Sequence, residues 1–128
     1  MYMREILKKW NPWWNDERVP ENRKGIERKS ILNELHKLIS TKEMVILTGV
    51  RRSGKSTIMH QIIDLLLREN VNPKNILFFN FDDFSDLKID DIYNFFLKEN
   101  NPHGKKYVFF DEIQNIEGWQ KWAKTNYD

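Results

Sequence analysis

Two groups of residues have the types and spacing to do chemistry. The first is "GVRRSGKST", residues 49–57, in which Gly49, Gly54, Lys55 and Ser56 fit G-x-x-x-x-G-K-[ST]. Glycines at these places open backbone conformations closed to other residues, so successive N–H groups can turn inward on phosphate oxygens. A helix starting at Lys55 would add free N–H groups and the positive end of its dipole. In such a cradle Gly49, Ser53, Gly54 and Thr57 line the nucleotide phosphates, with Thr57 chiefly supporting the helix start. Lys55 reaches the β- and γ-phosphates and the Ser56 hydroxyl ligates Mg²⁺. Arg51 and Arg52 occupy the variable part of the loop, where side chains turn outward toward solvent or a partner. At average residue usage the pattern arises by chance in roughly a few chains per thousand of this length.

The second group is Asp111 and Glu112, at the end of "YVFFDEIQ" (107–114). Four apolar residues read as a buried strand, and its carboxylates emerge at the C-terminal end, where open α/β sheets place their ligands. Asp111 would hold Mg²⁺, through its water, and Glu112 would polarise a water for attack on the γ-phosphate. Alone, an acidic pair often does no more than end a strand in solvent; downstream of a phosphate loop it reads as chemistry. Gln114 is open between a nucleotide or partner contact and a plain loop residue.

The elements around these groups can be read from periodicity. Ile31, Leu32, Leu35, Leu38 and Ile39 mark a helix over about 27–40. "MVILT" (44–48) is a short apolar run ending at Gly49 and reads as a buried strand. Ile58, Ile62, Leu65 and Leu66 recur at helical spacing over 55–69. "ILFFNF" (76–81) is a second strand, after which "DDFSD" turns; Asp82 and Asp83 there favour a turn role over one near the metal. A helix over 89–98, the strand 107–110 and a final helical stretch in "GWQKWAKTNY" complete the chain. Trp119 and Trp122 read as core or interface residues. Helices alternating with apolar strands predict an α/β fold with a parallel sheet, of which three strands are visible. Residues 1–25 hold Trp10, Trp13 and Trp14 in a polar, proline-bearing stretch and read as a strap over the edge of a domain spanning 26–128.

Composition narrows the alternatives. The chain has 128 residues, 31% of them charged and 40% hydrophobic, which suits one soluble globular domain. A net charge of +2 is too weak to argue for nucleic acid by itself. There is no cysteine, which excludes disulfides, thiolate zinc sites and cysteine nucleophiles. His36, His60 and His103 lie too far apart for a metal-binding spacing. No apolar run approaches the roughly 20 residues that cross a bilayer, so a cytoplasmic protein without a membrane partner is expected.

With both motifs in view, the chain resembles the AAA+-like P-loop ATPases of archaea and bacteria that carry a "GVRRSGKST"-type loop and a "DEIQ"-type acidic strand. The stretches "GIERK", "NILFFNFDD" and "GWQKW" extend the resemblance over nearly the whole chain. It implies a three-layer P-loop sandwich binding ATP or ADP with Mg²⁺, and it places Gly25, Ile26 and Arg28 near the adenine. It further implies a later strand between the phosphate-loop strand and the acidic strand, carrying a γ-phosphate sensor, and an arginine finger supplied by self-association. Neither is visible by residue 128. The expectation is therefore the N-terminal part of a longer ATPase, with an open slot in its sheet and DNA binding, if any, by regions elsewhere. Hydrolysis by this chain alone should be feeble. The alternative is a nucleotide-controlled switch or interaction module with little or no turnover; a small-molecule kinase ranks behind both, since Glu112 positions a carboxylate for water.

Overall fold

The computed structural model of the protein describes residues 2–24, 33–34, 36–37, 44–48, 55–82, 88–113 and 116–127. Among the described residues three parallel strands form a sheet: β1 (Met44–Thr48), β2 (Ile76–Asn80) and β3 (Lys106–Asp111), in the order β1-β3-β2. Ile76, Leu77, Phe78 and Phe79 are all buried, as are Tyr107 through Asp111. Successive side chains of a strand point to opposite faces, so both faces of β2 and β3 are covered; this is why the strands read as unbroken apolar runs rather than alternating ones.

The strand order corrects one expectation. β3 pairs directly with β1, from Met44 opposite Lys106 to Thr48 opposite Phe110, and no slot separates them. On its other side β3 pairs with β2, from Ile76 opposite Tyr107 to Asn80 opposite Asp111. With neighbours on both sides, the peptide groups of the buried central strand are satisfied, whereas an open slot would leave a row of them bare.

Helix α4 (Lys55–Arg68) follows β1, and Met59, Ile62, Ile63 and Leu66 form its buried stripe. The ring of His60, on the same helix, lies 4.4 Å from that of Phe78. Phe78 is aligned with Phe109, so α4 meets that face. The opposite face, carrying Phe110, meets Trp122 of α6 (Trp119–Tyr127), ring to ring at 5.5 Å. Trp122 also meets Tyr93 of α5 (Ile89–Asn100) edge-on at 5.3 Å. Trp122 is thus a core residue, and Trp119 is half-buried against the same cluster. Of the helix expected over 27–40, only Asn33, Glu34, His36 and Lys37 are described, and all four are helical.

The N-terminal stretch folds into three helices, α1 (Tyr2–Trp10), α2 (Trp13–Asp16) and α3 (Glu21–Lys24). In the first, Met3, Ile6, Leu7 and Trp10 are spaced i, i+3, i+4, i+7, the stripe of an amphipathic helix. Ile6, Leu7, Trp13 and Trp14 are buried in the same cluster as the strands. Both indoles donate to the carbonyl of Ile76, Trp13 at 3.2 Å and Trp14 at 2.7 Å. The amide of Asn11 brackets Phe78, whose N–H and carbonyl lie on the side of β2 away from β3. The tryptophans therefore serve packing and the sheet edge.

Arg23 closes the N-terminal unit. Its guanidinium donates to the carbonyls of Lys9 and Trp10, at 2.9 and 3.2 Å, and lies 5.5 Å from the Trp10 ring. Those carbonyls end α1, where no further turn exists to use them. Burial pulls the Arg23 pKa below the ordinary arginine value.

Candidate functional site

β3 delivers Asp111 to the C-terminal end of the sheet. Its carboxylate is buried, at 2% exposure for the residue, and Oδ1 accepts the N–H of Glu112 at 3.0 Å. Its carbonyl accepts the N–H of Phe81 at 3.1 Å, extending the β2–β3 ladder one step past Asn80. Beneath it, the ring of Phe110 is held by Trp122 and, edge-on at 5.3 Å, by Phe81. An apolar seat therefore fixes the strand end that carries the carboxylate.

Glu112 has φ 55°, the left-handed region. A side chain there costs ~1–2 kcal/mol. The turn is held on both sides: Asp111 Oδ1 binds the Glu112 N–H, and Ile113 returns to the core at 2% exposure. The chain thus bends at Glu112, which remains partly exposed beside the buried aspartate.

The strand that leads toward the phosphate-loop group, β1, ends beside β3. β1 ends at Thr48, opposite Phe110, one residue before Asp111 on the neighbouring strand. Lys55, seven residues after Thr48, opens α4. Gly49, Ser53 and Gly54, with Arg51 and Arg52, lie outside the described residues, as do Gly25, Ile26, Arg28, Asp83 and Gln114. For Lys55 and Ser56 the helical backbone is described and the side chains are not. Thr57 is half-buried in the first turn of α4.

Other residues at this end have local roles. Asn80, opposite Asp111, accepts the N–H of Asp82 on its side-chain oxygen at 2.8 Å, so Asp82 belongs to a turn, as its type suggests. Among the described residues, no group of three or more His, Asp or Glu side chains forms a metal site. His36 pairs with Glu69 at 2.8 Å, and His60 is buried between Phe78 and Trp13. Among the described residues no helix is long and apolar enough to cross a membrane.

Oxygen donors suit Mg²⁺, a hard cation that keeps several of its waters and takes one or two protein ligands. A buried aspartate and a serine hydroxyl are donors of that kind, so the residue types at Asp111 and Ser56 fit the ion.

A parallel α/β sheet with a Gly-Lys-Ser sequence after one strand and an acidic pair at the end of the strand paired beside it points to a class, the nucleotide-binding α/β domains. The chain matches the AAA domain family over residues 41–128, and it belongs to that family. Membership points to a nucleotide-binding, ATPase-like function. It is also 36% identical over 100 residues to an uncharacterized protein of Haemophilus influenzae, covering 75% of this chain and 25% of that one. An uncharacterized protein of Methanocaldococcus jannaschii is 31% identical over 90 residues, covering 69% of this chain and 19% of the relative. The chain thus spans a quarter or less of the length of these relatives. No solved structure matches it significantly.

Proposed function

We propose that the chain binds Mg-ATP and Mg-ADP between the loop 49–57 and the end of β3, as part of an ATPase with a three-layer P-loop sandwich. The observation that carries this reading is the β1–β3 register: Thr48 stands beside Phe110, so the residues leading into the loop and the Asp111–Glu112 pair leave the sheet side by side. Backbone N–H groups of Gly49, Ser53 and Gly54 cradle the phosphates, and Lys55 and Thr57 complete the set at the head of α4. Ser56 and Asp111 hold magnesium, which offsets phosphate charge. Gly25, Ile26 and Arg28 contact the adenine. Glu112 orients and deprotonates the attacking water, a role suited to a carboxylate that is partly exposed beside a buried one.

Hydrolysis by the isolated chain should be slow. An arginine finger is worth about 10³–10⁵ in rate, and in this reading a second copy supplies it. Equilibrium titration of Mg-ATP tests the site: Lys55→Ala should weaken binding severalfold or more, and unchanged affinity would remove the phosphate loop from the reading. Single-turnover hydrolysis by the wild-type chain tests the rest, where a brisk rate without self-association would make the finger unnecessary.

A further inference from the structure

We infer that the end of the sheet opposite Asp111 is a docking surface for the phosphate backbone of duplex nucleic acid. This surface is separate from the proposed nucleotide site and uses none of its residues.

The net charge of +2 is the sum of two unlike ends. β2, α5 and β3 follow one another with the two strands parallel, so α5 starts at the C-terminal end of the sheet and finishes at the other. Its first turn carries Asp90 and Asp91, and its last turn carries Lys98. Asp82, Asp111 and Glu112 share the end where α5 starts; Lys74, Lys105 and Lys106 share the end where it finishes. Along β3, Lys106 and Asp111 are roughly 17 Å apart at about 3.3 Å per residue. A polyanion responds to the local charge of the face it approaches, not to the sum over the chain.

The lysine-rich end carries a surplus. Among the described residues, none of Lys74, Lys98 and Lys106 has a carboxylate partner. Lys106 turns its ammonium to the carbonyl of Gly104 at 3.4 Å, and Lys105 lies 5.2 Å from the Tyr107 ring. Glu69 and Glu99, at the ends of α4 and α5, are held by His36 at 2.8 Å and by Arg4 at 2.9 Å. Lysines near helix ends often do no more than offset the helix dipole. Two helix ends supply about half a negative charge each, and four lysines exceed that.

The lysines are also held in one frame. Asn75 is buried, and its Nδ2 donates to the carbonyls of His103 at 2.8 Å and Lys105 at 3.0 Å. Nδ2 of Asn100 donates to the carbonyl of Lys74 at 3.0 Å. The connection before β2 and the connection before β3 are thus stitched together, so a ligand spends little on ordering their backbone. Exposed beside the lysines are Asn72, Asn101 and His103, types that add hydrogen bonds to phosphate and sugar oxygens. A membrane-surface site would call for large apolar side chains aimed at lipid, and residues 69–75 and 101–105 expose none. A duplex offers phosphates at fixed spacing, which suits charges on a fixed backbone.

The test uses a fluorescein-labelled duplex of arbitrary sequence, titrated by anisotropy with the whole chain. Four lysines on phosphates should give a slope of about −3.6 for log affinity against log salt, roughly 10²-fold between about 50 and 200 mM. Lys105→Gln/Lys106→Gln should halve that slope and weaken binding about tenfold or more at the lower salt. Lys121→Gln/Lys124→Gln removes the same charge from the exposed side of α6 and should leave the slope unchanged. Lys55→Ala should bind the duplex as the wild type does. Equal losses in the two double variants would mean diffuse attraction, and loss in Lys55→Ala would put the duplex on the phosphate loop; either overturns the inference. So would a wild-type dissociation constant above about 1 mM at the lower salt. Tighter binding to phosphatidylserine vesicles than to the duplex, lost in Lys105→Gln/Lys106→Gln, would assign the surface to a membrane and overturn it too. Affinity for Mg-ATP should be the same in Lys105→Gln/Lys106→Gln and the wild type, so the nucleotide reading stands or falls separately. Should that variant fail to fold by circular dichroism, Lys74→Gln/Lys98→Gln carries the same comparison with the same expected halving.

Discussion

The side chain of Asn11 stands against Phe78 as a neighbouring strand would. Nδ2 donates to the Phe78 carbonyl at 2.9 Å and Oδ1 accepts the Phe78 N–H at 2.6 Å. Nδ2 also donates to the carbonyl of Leu7 at 2.8 Å. One amide therefore satisfies both the N–H and the carbonyl of Phe78 on the outer edge of β2 and joins them to the end of α1. An open strand edge is a template for pairing with another chain, and here it is closed by a side chain rather than by a strand.

Asn11→Ala should therefore act on both stability and association. Two buried peptide groups lose their partners, and each costs about 1–3 kcal/mol when left unsatisfied. The expected loss is ~2–4 kcal/mol, read as a lower urea midpoint at unchanged slope. The uncovered edge should also raise the apparent mass on size-exclusion chromatography. A variant that is as stable and as monodisperse as the wild type would show that Asn11 does not close the edge.

Trp13 and Trp14 share one acceptor, the carbonyl of Ile76, at 3.2 and 2.7 Å. Replacing either by Phe keeps a ring in place and leaves the other indole on the carbonyl. Each single change should cost ~1 kcal/mol or less, with Trp14→Phe the larger because its bond is shorter. The double change strands the carbonyl and should cost more than the sum, by about 0.5–2 kcal/mol. A double-mutant cycle in urea measures this; strict additivity would mean that the two indoles do not substitute for each other.

The legible parts of this fold are those with a strong period or a strong run. β1 lies at 44–48, as its apolar run indicates, and β2 and β3 differ from expectation by one residue at their ends. Helix α4 begins at Lys55, where the glycines stop and the Ile58-Ile62-Leu65 spacing begins. Strand order was not legible, because β3 could pair on either side and only packing across the whole sheet selects. Nor was Asn11: an asparagine beside a proline reads as a turn until one knows which strand is the edge. At the site, the emergence of Asp111 from a buried strand could be read from four apolar residues followed by two acids. The left-handed turn at Glu112 could not, since no glycine or asparagine marks it.

Alkaline pH should unfold the protein through two phenols. Burial lifts Tyr93 above the ordinary tyrosine value, and burial followed by repulsion from Glu69 does the same at Tyr107. A raised pKa in the folded state means that the folded chain keeps a proton that the unfolded chain has released. The corresponding stability is complete below the unfolded value of about 10 and is lost as pH climbs through the folded values. Thermal midpoints should be flat between about pH 7 and 9 and fall above about 10, and Tyr93→Phe should fall less steeply. An equal slope in that variant would assign the alkaline loss to other groups.

Glu112 separates backbone strain from chemistry. Its φ of 55° suits glycine and opposes a β-branched residue. Glu112→Gly should leave the urea midpoint unchanged or higher, whereas Glu112→Val should cost ~1–2 kcal/mol. Glu112→Gln keeps the turn and the Asp111 bond to its N–H, so its stability should match the wild type. On the proposed function it should also keep its affinity for Mg-ATP, while single-turnover phosphate release falls about 10²-fold or more. Since all three variants leave Asp111 in place, affinity for Mg-ATP serves as the control for a correctly formed strand end. Wild-type turnover in Glu112→Gln would take the water-activating role away from this carboxylate, and the strain at residue 112 would then serve only to bring Ile113 back into the core.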